Sequence, residues 1–229
     1  MQIAAARLPS LAFPFPVAAK AVSAVNPAQI PGCPLQLKRG ETVYAEGTVA
    51  RDLYKVVSGC IRAHRFLPDG RRMVASFTLP GEVFGVDGTG AHKYSAEAIT
   101  QAVVIAFARS AIEACVDREP VAAHSWQAFA LEKLSASEDR CLLLSRKSAT
   151  ERVANFLVDL ERRKPQDRGL IELPMSRYDI ADHLGLTAET VSRVLSCFRQ
   201  RRILVGEGAH RVRLIDRQVL ESLAFDGSP

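Results

Sequence analysis

Three polar side chains on one predicted helix are the residues in this chain best suited to specific recognition chemistry. Glu189, Ser192 and Arg193 follow one another at steps of three and one, so they share one side of a helix. A guanidinium can donate two hydrogen bonds to guanine O6 and N7, a carboxylate can accept one from cytosine N4, and a hydroxyl adapts to a neighbouring base. The set suits the reading of base edges. The alternative is that Glu189 only complements the helix dipole and that Arg193 is its exposed partner one turn later.

The elements that must position these residues are two short amphipathic helices within residues 175–204. Ser176 and Asp179 form a plausible capping pair for the first helix, and Gly185 ends it where a positive φ is easiest. Thr187 is the natural N-cap of the second helix, which reaches to about Arg201. Two helices of this length around a glycine-bearing turn predict a helix-turn-helix, whose second helix fits the major groove.

Basic residues cluster around and after the second helix. The segment "ILVGEGAHRVRLID" reads as two β-rich runs around a Gly-Glu-Gly turn, which predicts a hairpin wing. Cationic and hydroxyl side chains in these positions suit contacts with phosphates. The residues that we expect to contact the DNA backbone are Thr187, Thr190, Arg199, Arg201, Arg202 and Arg211, with Arg213 also on the wing.

The upstream half has a different pattern. Residues 35–108 are short apolar runs separated by turn residues such as "LPDG", which is typical of an antiparallel sandwich or barrel. Residues 121–145 contain neither Gly nor Pro and predict a helix about 37 Å long, and residues 148–165 predict a further amphipathic helix. The long helix either packs wholly against its own domain or pairs with the same helix of a second copy in a dimer. We favour the dimer because an unpaired surface helix of this length would leave a stripe of apolar side chains exposed to water. The candidate dimerisation residues are Trp126, Phe129, Leu134, Cys141 and Leu144.

Composition narrows the class of protein. The chain has 229 residues, enough for two domains, and 30 basic against 25 acidic residues give a formal charge of +5, which permits a polyanionic partner. Five scattered cysteines without a CxxC pair argue against a disulfide framework or a thiolate metal cage and fit a reducing cytoplasm. Prolines interrupt the apolar residues of the first 25 positions, which favours an N-terminal arm over a signal peptide, and no stretch is long enough to span a membrane.

Four segments together resemble the CRP/FNR family of bacterial transcription regulators: "GETVYAEG", "DGRRMVASFTLPGEVFG", "CLLLSRKSATERVANFL" and "MSRYDIADHLGLTAETVSRVL". The resemblance runs from about residue 35 to 223. It implies an α+β protein with an N-terminal β jelly roll of the cyclic-nucleotide-binding type, a long dimerisation helix and a C-terminal winged helix-turn-helix. We therefore expect an arm at 1–34, a sensor-like jelly roll at 35–120, a dimerisation helix at 121–145 and a DNA-binding domain at 146–229.

The segment "ETVSR" resembles the FNR and FixK branch of that family. In that branch the residues matching Glu189, Ser192 and Arg193 read a TTGAT-type half-site. The CRP branch has an arginine where Ala188 stands and a glycine where Ser192 stands, which disfavours a CRP-type operator. The iron-sulfur cluster of FNR needs cysteines that this sequence lacks, because Cys33 stands alone and Ile105 occupies the position of the sheet cysteine.

The resemblance also bears on small-molecule binding. Gly81, Glu82 and Ser95 match positions that bind cyclic AMP in the CRP branch, but Tyr94 stands where the phosphate-binding arginine is expected. We therefore interpret Gly81 and Glu82 as structural turn residues. The sequence indicates no cofactor, no metal site and no catalytic residues.

The function that we expect is that of a transcription regulator, mainly an activator, which binds a palindromic TTGAT-type box as a homodimer and contacts RNA polymerase. Control of oxygen-limited respiration or nitrogen fixation is implied by the FixK-like motifs. The alternative is an effector-dependent regulator that senses a small molecule, a gas through haem or thiol oxidation at Cys197 beside the recognition residues. His64, His92 and His124 lack a recognisable ligand spacing for haem. A cupin-like enzyme is a remote alternative, because no paired histidines occur in the strand region.

Overall fold

The computed structural model describes residues 30–86, 90–163, 169–208 and 210–225. Most of the expected N-terminal arm, residues 1–29, lies outside the described residues. The strands of the N-terminal half are β1 (Gly32–Leu37), β2 (Thr42–Tyr44), β3 (Asp52–Ser58), β4 (Ile61–Phe66), β5 (Arg72–Thr78), β6 (Val83–Phe84), β7 (Ser95–Ala98) and β8 (Ala102–Ala108). The helices are α1 (Arg109–Arg118), α2 (Pro120–Arg146), α3 (Ala149–Arg163), α4 (Arg177–Leu184), α5 (Ala188–Gln200) and α6 (Arg217–Phe225). The C-terminal strands are β9 (Leu170–Glu172), β10 (Leu204–Gly206) and β11 (Arg211–Leu214).

The N-terminal strands form two antiparallel sheets of four strands each, in the orders β1-β8-β3-β6 and β2-β7-β4-β5 among the described residues. Their inner faces share an apolar core that includes Tyr44, Tyr54, Val56, Ile61 and Val104. The expected jelly roll is confirmed. It begins earlier than residue 35, however, because Cys33 and Pro34 already pair with β8. "GCP" looks like a turn, but β1 is an edge strand, where a proline costs no ladder hydrogen bond that the sheet needs.

The long helix α2 begins with Pro120 at its first turn and runs for 27 residues. A proline is tolerated there because the first amides of a helix have no partner within it. Of its residues, only Ala122 and Phe129 are buried. The sequence predicted a helix over residues 121–145, and the structure has one over Pro120–Arg146 that leaves most of its surface exposed in the single chain.

The C-terminal part contains the expected winged helix-turn-helix. Helix α3 turns Val153, Phe156, Leu157 and Leu160 inward, and α4 and α5 pack beside it. The wing is a sheet in the order β10-β11-β9, so the expected hairpin gains a third strand from the connector before α4. Helix α6 was not foreseen. It packs Leu220, Leu223 and Ala224 into the same core.

The two halves share one apolar core, which the division into domains did not anticipate. Cys60, Val74, Phe77, Leu79 and Ile99 of the jelly roll belong to the same cluster as the buried side chains of α3, α4 and α5. Helix α4 in particular lies against β5. The helix-turn-helix thus packs directly against the jelly roll.

Candidate nucleic-acid interface

The turn between α4 and α5 is shaped by local hydrogen bonds. The Ser176 hydroxyl accepts from the Asp179 amide at 3.1 Å, while the Asp179 carboxylate accepts from the Ser176 amide at 3.0 Å, so the predicted capping pair is a complete capping box. Gly185 ends α4 with φ of 63°, in the left-handed region, and the Leu186 amide donates back to the Ala181 carbonyl at 3.0 Å. The caps fix where each helix begins and ends.

Helix α5 is oriented by its buried side. Val191, Leu195 and Phe198 are almost fully buried, and Thr187 caps the helix by accepting from the Thr190 amide at 3.1 Å. Because these residues face the core, Glu189, Ser192 and Arg193 point to solvent. Sequence reasoning therefore placed all three on the correct face.

The charged groups of the candidate base-reading residues are available for a partner. Among the described residues neither Glu189 nor Arg193 forms an ion pair or hydrogen bond with another side chain. Glu189 also lies in the first turn of α5, where a carboxylate complements the helix dipole. The Ser192 hydroxyl donates to the Ala188 carbonyl at 2.8 Å, which leaves its oxygen able to accept. The face thus offers a free guanidinium, a free carboxylate and a hydroxyl acceptor, the groups that base edges require.

The expected phosphate-binding residues surround this face. Arg199, Arg201, Arg202 and Arg211 are all exposed, Thr187 is exposed and Thr190 is half-buried. Arg213 has a different environment, since its guanidinium bridges to the Glu207 carboxylate across the wing. Part of its charge is therefore already neutralised.

Arg177 is a basic residue of this surface that sequence reasoning missed. It opens α4 and lies near Arg199 at the end of α5, and its pKa is below the usual value because it is partly buried and because Arg199 is close. Neither cation has an acidic partner within the part of the chain that the structure describes, and two such neighbouring cations favour a bound anion such as phosphate. The residues are 22 positions apart in the chain, so only the fold reveals the pair.

The candidate dimerisation residues divide into two groups. Leu134 and Cys141 are exposed, whereas Trp126 and Leu144 are half-buried. Phe129 is only 2% exposed because it packs against Val83 and Trp126 of its own chain. This corrects the expectation for Phe129, which has almost no surface left to offer a partner. Leu131 and Leu142, which the sequence analysis did not select, are exposed on α2.

The residues that match a cyclic-nucleotide site have other partners here. The Glu82 carboxylate accepts from the Leu79 amide at 2.9 Å and from Arg163 at 2.6 and 2.7 Å, and Gly81 has φ of 92°. These contacts agree with a structural role for Gly81 and Glu82. The Ser95 hydroxyl accepts from the Glu46 amide at 2.9 Å.

The histidines and cysteines lie in separate environments. His64 is buried on β4, His92 stacks on Tyr44 with ring centroids 3.6 Å apart, and His124 is exposed on α2. Cys33 and Cys197 are exposed. No group of three or more potential metal ligands occurs within the described ranges. None of the described helices is both long and apolar enough to cross a lipid bilayer.

The jelly roll, the winged helix-turn-helix and the unpaired polar face of α5 together define a DNA-binding protein with a sensor-type domain. Residues 151–223 match the family model of the Crp-like helix-turn-helix domain, and residues 34–119 match that of the cyclic nucleotide-binding domain. The chain belongs to the CRP/FNR family of transcription regulators. This membership identifies it as a regulator and not an enzyme.

Its similarity to FixK proteins is extensive. The chain is 40% identical over 186 residues to the nitrogen fixation regulation protein FixK of Rhizobium meliloti, an alignment that covers 81% of this chain and 84% of that protein. It is 37% identical over 205 residues to FixK of Azorhizobium caulinodans, with 86% and 83% covered. The solved structure of FixK2 from Bradyrhizobium japonicum is 40% identical, superposes with a TM-score of 0.81 and is matched over 85% of this chain and 98% of that one.

Proposed function

We propose that this regulator binds, as a homodimer, an inverted repeat of TTGAT-type half-sites. The observation that carries the proposal is the unpaired state of Glu189 and Arg193 on the exposed face of a well-capped α5. Arg193 donates two hydrogen bonds to the guanine, Glu189 accepts from a cytosine amino group, and Ser192 contacts a neighbouring base. A two-fold dimer places the half-site centres about one helical turn apart.

Backbone contacts hold the protein in register on this operator. We assign them to Thr187, Thr190, Arg199, Arg201, Arg202 and Arg211, and we add Arg177. The exposure of Arg199, Arg201, Arg202 and Arg211 supports their assignment, because cations that reach phosphates release counterions from DNA. Arg177 is half-buried and is assigned because it lies close to Arg199.

The dimer forms along α2. Its exposed apolar side chains Leu131, Leu134, Cys141 and Leu142 recur at the spacing of one helix face, and a second α2 related by two-fold symmetry would bury them. In this assignment the sensor-like domain runs from β1 to residue 120, residues 121–145 form the dimerisation helix and residues 146–229 the DNA-binding domain.

The regulatory role that we propose is control of nitrogen fixation or oxygen-limited respiration, mainly by activation. The proposal draws on the similarity to FixK proteins, which are nitrogen fixation regulation proteins. Activation requires contact with RNA polymerase, which we assign to the exposed hairpin tip at residues 67–72, where Arg71 pairs with Asp69. The protein acts in the cytoplasm, where its DNA is found.

Selection of bound sequences from random oligonucleotides tests the operator. The wild-type protein should enrich an inverted repeat of TTGAT. Arg193→Ala should weaken operator binding by about 1–3 kcal/mol and relax the preference at the guanine, whereas Arg201→Ala should weaken binding to operator and random DNA alike. Equal losses on both kinds of DNA for Arg193→Ala would contradict the assignment of Arg193 to base reading.

A further inference from the structure

The Asp179 carboxylate is a junction between the DNA-binding helices and the jelly roll. It is 6% exposed and closes the capping box of α4 by accepting from the Ser176 amide at 3.0 Å and the Ser176 hydroxyl at 2.7 Å. The same carboxylate accepts from Arg62 of β4 and, at 2.7 Å, from Arg72 of β5. The Asp179 carboxylate therefore both caps the N-terminus of α4 and connects α4 to the sheet of the jelly roll.

Both arginines make a second ion pair, which fixes the direction of each guanidinium. Arg62 also donates to Glu97 of β7 at 2.8 Å, and Arg72 also donates to Asp182 of α4 at 2.8 Å. Asp182 lies one turn after Asp179 on the same side of α4. We call Arg62, Arg72, Asp179 and Asp182 the interdomain clamp. Two anchors on α4 resist rotation of the helix as well as its displacement.

The other end of α4 is attached separately. Arg140 of α2 donates to the Val74 carbonyl of β5 at 2.8 Å and to the His183 carbonyl of α4 at 3.1 Å. The long helix, the sheet and the helix-turn-helix thus meet at one guanidinium. Because α4 packs directly against α5, the orientation of α4 sets the orientation of the recognition helix.

We infer that Arg62 and Arg72 are positioning residues for DNA recognition, which set the angle at which the jelly roll presents α5 to its half-site. This inference rests on the proposed binding of a dimer to two half-sites. Neither residue touches DNA in this scheme; each acts through Asp179. A clamp of this kind makes the distance and angle between the two recognition helices of a dimer well defined.

The physical consequence concerns the spacing of the operator. One additional base pair between the half-sites increases their separation by about 3.4 Å and rotates one half-site relative to the other by about 34° about the DNA axis. A dimer whose recognition helices are held at a fixed separation and angle cannot contact both displaced half-sites. A dimer whose recognition helices can reorient can compensate for part of the displacement. Loss of the clamp should therefore reduce discrimination between spacings more than it reduces affinity for random DNA.

The test measures binding of the full-length protein to palindromes of two TTGAT half-sites with the selected spacing and with one base pair more or less. Wild type should prefer the matched spacing by about tenfold or more, whereas Arg72→Gln should prefer it by about threefold or less. Arg72→Lys should restore part of the preference. Arg65→Gln is the matched control, because Arg65 lies on β4 but pairs with Glu46, away from α4.

A second variant keeps the test informative if single substitutions impair folding. Arg72→Gln combined with Asp182→Asn removes opposite charges together and retains the capping box and the Arg62–Asp179 pair; its circular dichroism should match wild type while its spacing preference is reduced. An unchanged preference in this folded variant would overturn the inference, as would a uniform loss of affinity on all spacings and random DNA. Absence of any spacing preference in wild type would instead refute the proposed dimeric operator.

Discussion

His183, at the last turn of α4, makes the stability of the protein sensitive to mild acid. Its pKa is lowered from 6.5 to about 3, chiefly because the ring is buried and further because the Arg140 guanidinium lies beside it. The Arg140 Nη1 atom lies 3.1 Å from Nδ1 and the Val74 carbonyl oxygen lies 3.2 Å from the same nitrogen, so in the neutral ring Nδ1 either accepts from Arg140 or donates to Val74. The folded protein therefore holds this histidine neutral.

The sign of the pH dependence follows from proton binding. Between pH 6.5 and about 3 the unfolded chain binds a proton at this position that the folded chain does not, so stability rises with pH through this window and is lost as pH falls. Between about pH 7.5 and about pH 5 the linkage relation gives a loss of up to about 2 kcal/mol. His64, whose pKa is also lowered by burial, adds to the loss in the same direction.

The comparison of wild type with His183→Asn isolates the contribution of this ring. Asparagine keeps an acceptor for Arg140 and does not titrate, and the effects of His64 and of the carboxylates are common to both proteins. Urea unfolding at one protein concentration, followed by circular dichroism at pH values from about 7.5 to about 5, should show a free energy of unfolding that falls less in the variant, by up to about 2 kcal/mol. Parallel curves for the two proteins would refute the reasoning.

Two further predictions concern other surfaces. Glutamate at both Leu131 and Leu134 should give a monomer in sedimentation and weaken operator binding, while unfolding of the monomer stays cooperative; a dimer of unchanged stability would exclude this face. Peroxide should lower DNA affinity of wild type but not of Cys197→Ser, because Cys197 is exposed on α5 and oxidation adds bulk and charge beside the operator; equal responses of the two proteins would end the redox hypothesis.

The local features of the DNA-binding face were predictable because their causes are local. The Ser176–Asp179 capping box, the left-handed Gly185 and the Thr187 cap each depend on residues within a few positions of one another. The helical period then fixes which side chains are buried, so the outward direction of Glu189 and Arg193 follows from the sequence alone. Helix α6 carries the same kind of local signal, because Asp216 caps it by accepting from the Val219 amide at 3.0 Å.

The contacts between the two halves could not be predicted in this way. Arg62 and Asp179 are separated by 117 positions, and Arg72 and Asp182 by 110. The local pattern of β4 does not show that Arg62 is buried and paired with the other half, while Arg65 on the same strand is half-buried and pairs with Glu46 of its own half. The burial of Phe129 has the same origin, because Val83 approaches α2 only through the fold of the jelly roll.

The arginines of this chain therefore fall into two groups, those that bind groups of the neighbouring half and those that are exposed near α5. The net charge of +5 does not distinguish the two groups. Arg62, Arg72, Arg140 and Arg163 are withdrawn from solvent and bind carboxylates or carbonyls of the neighbouring half, so they contribute little to the field that DNA meets. Arg199, Arg201, Arg202 and Arg211 are exposed on α5, directly after it and on the wing. Because counterion release depends only on cations that reach phosphates, the salt dependence of DNA binding should follow the second group and be insensitive to the first. In the proposed scheme affinity and orientation depend on different arginines, so the spacing preference should change without a matching change in the attraction to DNA.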